Sequence, residues 1–281
     1  MSYKTILVHL DTSHRCAARV ALAAAWARLH GAQVSALLPS GLYDGTLPAD
    51  AMAPSGADFI RQSAEYLRER AERVGRAFHR QMDLAGGPPA ELFVVDGAAA
   101  DSLVLHGRSA DLVVLGQFDR RDHGDMEPLN LPQRVLMEVG RPVLLVPSAG
   151  EFRAAPRHVL ASWDGSREAA VALQAALPAM RHADRVTVLH CRPSRTASEP
   201  GVHLTLPAVL KYLERHGVGA CAEDAVSNAS VADTLLSRVS DLGVDLLVMG
   251  GYGHSRLREL VLGGTTRTLL RQMTVPLLMA H

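Results

Sequence analysis

The residues with the clearest chemical promise are bare backbone donors. Residues 248–266 read VMGGYGHSRLRELVLGGTT: an apolar strand gives way to Gly250 and Gly253, a charged segment follows, and Gly263, Gly264, Thr265 and Thr266 stand just before a helical stretch. Glycine permits positive φ and lets a ligand approach main-chain N–H groups without a Cβ in the way. A strand that ends in such a turn, followed by small residues at a helix start, aims several N–H donors and a helix dipole at an anion. The chemistry implied is the wrapping of a phosphate chain. Gly250 and Gly253 would shape the turn, while Gly263, Gly264, Thr265 and Thr266 would supply amides and hydroxyls. Arg256 and Arg258 read either as added positive charge or as solvated loop residues. The spacing matches neither GxxxxGK(S/T) nor GxGxxG, which sets aside the usual P-loop and the dinucleotide fingerprint.

Other constellations promise less. Thirteen histidines invite a metal reading, yet no HxxxH or HExxH pattern falls on a convincing helix, and Cys16, Cys191 and Cys221 lack CxxC spacing. No tightly bound metal is expected. His190 and Cys191 are neighbours in RVTVLHCR, a strand in which adjacent side chains point to opposite faces, so a packed or hydrogen-bonded histidine is the expectation. There is no GxSxG elbow, and nothing singles out a Ser/His/Asp triad. Asp164 follows a strand and precedes Ser166, which leaves three roles: orienting a ligand, coordinating a metal that the ligand carries, or capping the next helix. Trp163 beside it reads as packing more than as a partner for a base. The cluster DRRDHGD, residues 119–125, reads as solvated charge.

The elements that must position these residues alternate along the chain. KTILVHLD, a helix through SHRCAARVALAAAWARLHG, QVSALLPS, a long helix, ELFVVDG, a short helix, DLVVLGQ, another helix and PVLLVPS predict a parallel α/β sheet. Within the long helix, Ile60, Ala64, Leu67, Ala71, Val74 and Phe78 fall at three- and four-residue spacing, a packing stripe. The plan then repeats: RHVLASWDGS answers KTILVHLDTS, DLLVMGG answers DLVVLGQ, and VPLLMAH answers PVLLVPS. Asp111 and Asp245, Gly116 and Gly250, and Pro142 and Pro276 recur at one constant offset. Repetition at this length implies two duplicated domains, residues 1–149 and 156–281, joined through SAGEFRAAPR.

On these residues the chain resembles a known family. G-x2-G-x9-G at Gly250, Gly253 and Gly263, placed after a fourth strand and followed by a helix and a closing apolar strand, resembles the nucleotide-binding signature of the universal stress protein family. The duplication resembles its tandem members. The resemblance implies an α/β fold of two doubly wound, five-stranded parallel sheets, each ordered 3-2-1-4-5, flanked by helices and packed as an internal pseudo-dimer through PVLLVPS and VPLLMAH. That order puts a ligand crevice between strands 1 and 4. It implies Asp164 near the nucleoside and the backbone of Cys191 near the adenine edge.

Two departures qualify the expectation. Family members that bind ATP follow the last glycine with Ser or Thr, and here Gly264 stands in that place, with Thr265 and Thr266 after it. In the first copy, Asp119, Leu129 and Asn130 replace the glycines, so side chains and a negative charge would crowd a triphosphate there. The resemblance therefore implies one site, in the second copy, holding an adenine nucleotide such as ATP with Mg as a regulatory ligand. Slow ATP hydrolysis, or a scaffold that binds another small ligand or a protein, are the alternatives; no general base is evident for phosphoryl transfer. Association of two chains as a homodimer is a further expectation.

Composition sets outer limits. The 281 residues carry 29 basic and 29 acidic side chains and no net charge, so no electrostatic pull toward nucleic acid or anionic membrane is visible. No apolar run reaches the roughly 18 residues that span a bilayer. MSYKTILVHLD reads as a strand and not as a signal peptide, and with three unpaired-looking cysteines a cytoplasmic location is expected.

Overall fold

In the computed structural model, which describes residues 2–39, 56–118, 130–153, 155–193, 202–227, 230–252 and 264–281, strands and helices alternate as the apolar runs imply. The first half contains β1 (Thr5–His9), α1 (Cys16–His30), β2 (Gln33–Pro39), α2 (Gly56–Leu84), β3 (Ala90–Val95), α3 (Ala99–Gly107), β4 (Leu112–Gly116), α4 (Leu131–Glu138) and β5 (Val143–Val146). The second contains β6 (His158–Ser162), α5 (Arg167–Met180), β7 (Arg185–Pro193), α6 (Val202–Arg215), β8 (Ala220–Ser227), α7 (Val231–Asp241), β9 (Leu246–Gly250), α8 (Gly264–Gln272) and β10 (Leu277–Ala280).

The strands lie in the order β3-β2-β1-β4-β5-β10-β9-β6-β7-β8. Each half therefore has the expected 3-2-1-4-5 order, all parallel. The two sheets are fused into one. β5 and β10 pair antiparallel, with Leu277 opposite Leu145, Leu278 opposite Leu144 and Met279 opposite Val143. Both strands are apolar throughout and buried at every position. Pairing them satisfies N–H and C=O groups that two separate sheets would leave at open apolar edges.

Side chains alternate between two cores, one on each face, as a sheet covered on both sides requires. Ile6, Val8, Leu112, Val114, Leu144, Val159, Val248 and Leu278 join α1, α2, α5 and α6 on one face. Leu7, Val113, Leu115, Leu145, Leu160, Leu247, Met249 and Leu277 join α3, α4, α7 and α8 on the other. In α2 the expected stripe is seen from Ala71 onward, where Val74 and Phe78 are buried; the side chain of Ile60 lies outside the described residues.

The repeated aspartates have a structural reason. Asp111 Oδ2 accepts the backbone N–H groups of Lys4 and Thr5 at 2.7 and 3.0 Å, and the Asp245 carboxylate accepts those of Arg157 and His158 at 3.0 Å each. Each fixes the start of the first strand of its half. A ring cluster crosses the seam between halves. The Tyr3 hydroxyl donates to the Ala175 carbonyl of α5 at 2.7 Å, the Tyr3 and Trp26 rings stack, and His30 meets Tyr3 edge-on and faces His182 at 5.2 Å. Burial, with the His182 ring opposite, pulls the His30 pKa down to about 4.

Candidate functional site

In the second half β6 lies beside β9, with connections leaving in opposite directions, so the carboxyl ends of these two strands form a topological switch point. Gly250 ends β9 there, and the N–H of Gly251 continues the ladder by donating to the Ala280 carbonyl at 2.9 Å. A Cβ on Gly250 would stand 2.5 Å from the Ala169 nitrogen and the Glu168 carbonyl carbon, because the first turn of α5 packs onto this residue. Gly250 thus serves close approach and not the turn expected of it. The left-handed bend falls instead at Tyr252, φ 63°, a conformation that costs a bulky residue strain. Its ring packs with the core under α8 and meets the His281 ring edge-on, and burial raises the phenol pKa to about 12. The His281 Nδ1–H donates to the Gly251 carbonyl at 2.9 Å, which fixes the tautomer.

Gly253 and Gly263, with Arg256 and Arg258, lie outside the described residues. α8 opens at Gly264, and its first-turn amides have no partners within the helix. Gly264 is exposed, Thr265 half-buried and Thr266 buried, so of the two expected hydroxyls that of Thr265 is the accessible one. An anion at this terminus would meet bare N–H groups and the positive end of the helix dipole.

Asp164 sits just past β6 at the edge of the same crevice. Its Oδ1 accepts the Ser166 backbone N–H at 2.9 Å and the Ser166 hydroxyl at 2.6 Å, and Ser166 Oγ accepts the Ala169 N–H at 3.1 Å. Ser166 is the cap of α5, and Asp164 holds it in place. Cys191, near the end of β7, is half-buried; burial pushes its thiol up, with the Thr234 hydroxyl beside it. His190 is buried, with Nδ1 3.4 Å from the Asp224 carboxylate, as expected for a packed histidine. The Trp163 indole N–H donates to Thr205 Oγ1 at 3.0 Å while its ring packs on the core.

The first half repeats the frame and fills the crevice. Asp11 Oδ1 accepts from the Ser13 N–H and hydroxyl at 3.0 and 2.5 Å, as Asp164 does from Ser166. Asp11 Oδ2, however, lies 2.5 Å from Nη2 of Arg19, a residue of α1 only 3% exposed. The guanidinium rests on Gly116, the last residue of β4, where a Cβ would run into Nη1. His9 Nδ1 stands 4.0 Å from the same carboxylate. Burial alone would raise the Asp11 carboxyl; Arg19, His9 and the Ser13 hydroxyl together hold it well below the usual carboxylate range. No motif marks Arg19, but the two copies differ there: Ala172 follows Asp164 at the distance at which Arg19 follows Asp11. Asn130 stands exposed ahead of α4, while Leu129 and all of DRRDHGD, Asp119 included, lie outside the described residues.

Among the described residues there is no group of three or more His, Cys, Asp or Glu that could hold a metal ion, and no helix is long and apolar enough to cross a membrane. The second crevice thus offers donors and a carboxylate, an arrangement for holding a polar ligand.

Comparison with known proteins agrees in fold and family. The sequence profile of the universal stress protein family matches residues 156–281. The chain is similar to the universal stress protein Slr1230 of Synechocystis sp., 32% identical over 226 residues that cover 79% of this chain and 75% of that one. It is also 32% identical over 146 residues to a universal stress protein of Thermus aquaticus, covering 51% of this chain and 98% of the relative. A solved universal stress protein from Archaeoglobus fulgidus shares the fold at a TM-score of 0.75 and 15% identity, covering 98% of this chain and 95% of that one.

Proposed function

Because the chain belongs to the universal stress protein family, we propose that its second half holds an adenine nucleotide, ATP above all, as a regulatory ligand, and that its first half holds none. The observation that carries this is the contrast between two matching crevices. In one, a buried guanidinium is already paired with the aspartate; in the other, Ala172 leaves that place without charge. The first-turn amides of α8 stand in the second half, at Gly264 and Thr265.

In this proposal Gly264 and Thr265 grip the phosphates, with Gly253 and Gly263 preceding them in sequence and Gly250 letting α5 approach. Thr266 supports the turn from inside. Asp164 orients the ribose hydroxyls while it holds Ser166, and the backbone at Cys191 borders the adenine. Magnesium would travel with the phosphates. The two halves, residues 1–149 and 156–281, act as two domains joined through the β5–β10 ladder, in a cytoplasmic protein that senses nucleotide without rapid turnover and associates as a homodimer.

Calorimetry with ATP, ADP and AMP tests the reading. One equivalent of ATP per chain without phosphate release supports it. Phosphate release would make the protein a slow ATPase, and no binding of any of the three would refute the site. Gly253→Asp, which copies the first half, is expected to abolish binding while the circular dichroism spectrum stays unchanged.

A further inference from the structure

One side chain joins the half without a phosphate grip to the gripping helix of the other. Gln117 directly follows β4, in the place of the first repeat that Gly251 takes in the second. Its backbone N–H donates to the Val146 carbonyl of β5 at 2.7 Å, and its Oε1 accepts the Ser148 N–H at 2.8 Å. Its Nε2 then reaches across the seam and donates to the Leu270 carbonyl at 3.1 Å.

That carbonyl belongs to the last turn of α8, whose acceptors have no partner inside the helix. α8 has nine residues, too few to be stable without outside support. At the matching place of the second repeat Gly251 has no side chain to offer, and a Cβ there would stand 2.8 Å from Leu136 of α4. At this pair of positions the link runs from the first half to the second.

We infer that Gln117 is a positioning residue for the phosphate grip: by bonding the last turn of α8 it fixes the helix axis and aims the amides of Gly264 and Thr265 at the ligand. A site built on bare backbone donors works only when the element carrying them is rigidly placed. The ligand in this inference rests on the nucleotide site proposed above; the tether itself does not.

The test uses the full chain with Gln117→Glu and Gln117→Leu. Glutamate keeps the acceptor for Ser148 but sets a carboxylate against the Leu270 carbonyl; leucine removes both bonds. Two readouts are taken, hydrogen exchange of peptides spanning 265–273 and ATP titration by calorimetry. The expected result is faster exchange in α8 with strand amides unchanged, and ATP affinity about three- to tenfold weaker, the equivalent of one ordinary hydrogen bond. Unchanged exchange in α8 of Gln117→Glu overturns the inference, and so does faster exchange with wild-type affinity. If Gln117→Leu does not fold, Gln117→Glu decides. If wild-type protein binds no ATP, the nucleotide site is refuted, and exchange in α8 alone decides whether Gln117 holds that helix.

Discussion

Replacing Arg19 by methionine isolates the physics that separates the two crevices. The side chain keeps its approximate volume and loses its charge, so the Asp11 carboxylate stays in place, 6% exposed, without its guanidinium. Removing one partner of a buried ion pair costs about 3–5 kcal/mol. At about 2–4 °C per kcal/mol for a chain somewhat smaller than this one, the melting temperature should fall by roughly 10 °C. The pH dependence identifies the cause. In the wild type the folded Asp11 carboxyl lies below its unfolded value, so the pair's contribution is fully present above about pH 4 and is lost as pH falls further. In the variant the dominant influence left is burial, which raises the carboxyl, so the folded form takes up a proton and the deficit shrinks between pH 8 and pH 5. Urea unfolding at both pH values provides the assay, with Arg19→Met/Asp11→Asn as the companion, since asparagine keeps an acceptor for Ser13 and carries no charge. A single variant that costs under about 1 kcal/mol, a deficit equal at pH 8 and pH 5, or a double variant no better than the single would refute the reasoning.

Gly250→Ala should cost about 1–3 kcal/mol in urea unfolding without any nucleotide, because its Cβ would stand 2.5 Å from backbone atoms of α5; wild-type stability would mean that α5 does not pack there. His30, with a folded pKa near 4 against 6.5 ordinarily, binds fewer protons folded than unfolded between those values. Stability should therefore fall, by on the order of 1–2 kcal/mol after allowing for solvent screening, as pH drops from about 6.5 to about 4. His30→Leu should flatten that window, and a slope identical to wild type would exclude His30 as its source.

Much of the fold was legible because periodicity, repetition and apolar fifth strands all pointed one way. The family resemblance implied the seam at PVLLVPS and VPLLMAH; that they form a single antiparallel ladder depends on register, which no local pattern encodes. Glycine spacing marks a candidate ligand segment but gives Gly250 a turn role that packing does not. Gly250 is small because a helix start lies against it, a contact made by residues far away in sequence, whereas the bend belongs to Tyr252, which propensity would place last. Arg19 was hidden for a different reason. An arginine in an alanine-rich helix reads as a solvated charge, and only the folding of α1 back over the ends of β1 and β4 brings it to Asp11 and Gly116.

β10 is the last strand in chain order and lies near the middle of the sheet. During synthesis the earlier strands can assemble first, and until Ala280 clears the ribosome β5 must wait as an unpaired apolar border. The nascent protein is therefore most vulnerable to adhesion between neighbouring polysome products at the place that becomes its most protected interior. Chaperone dependence should concentrate in that interval.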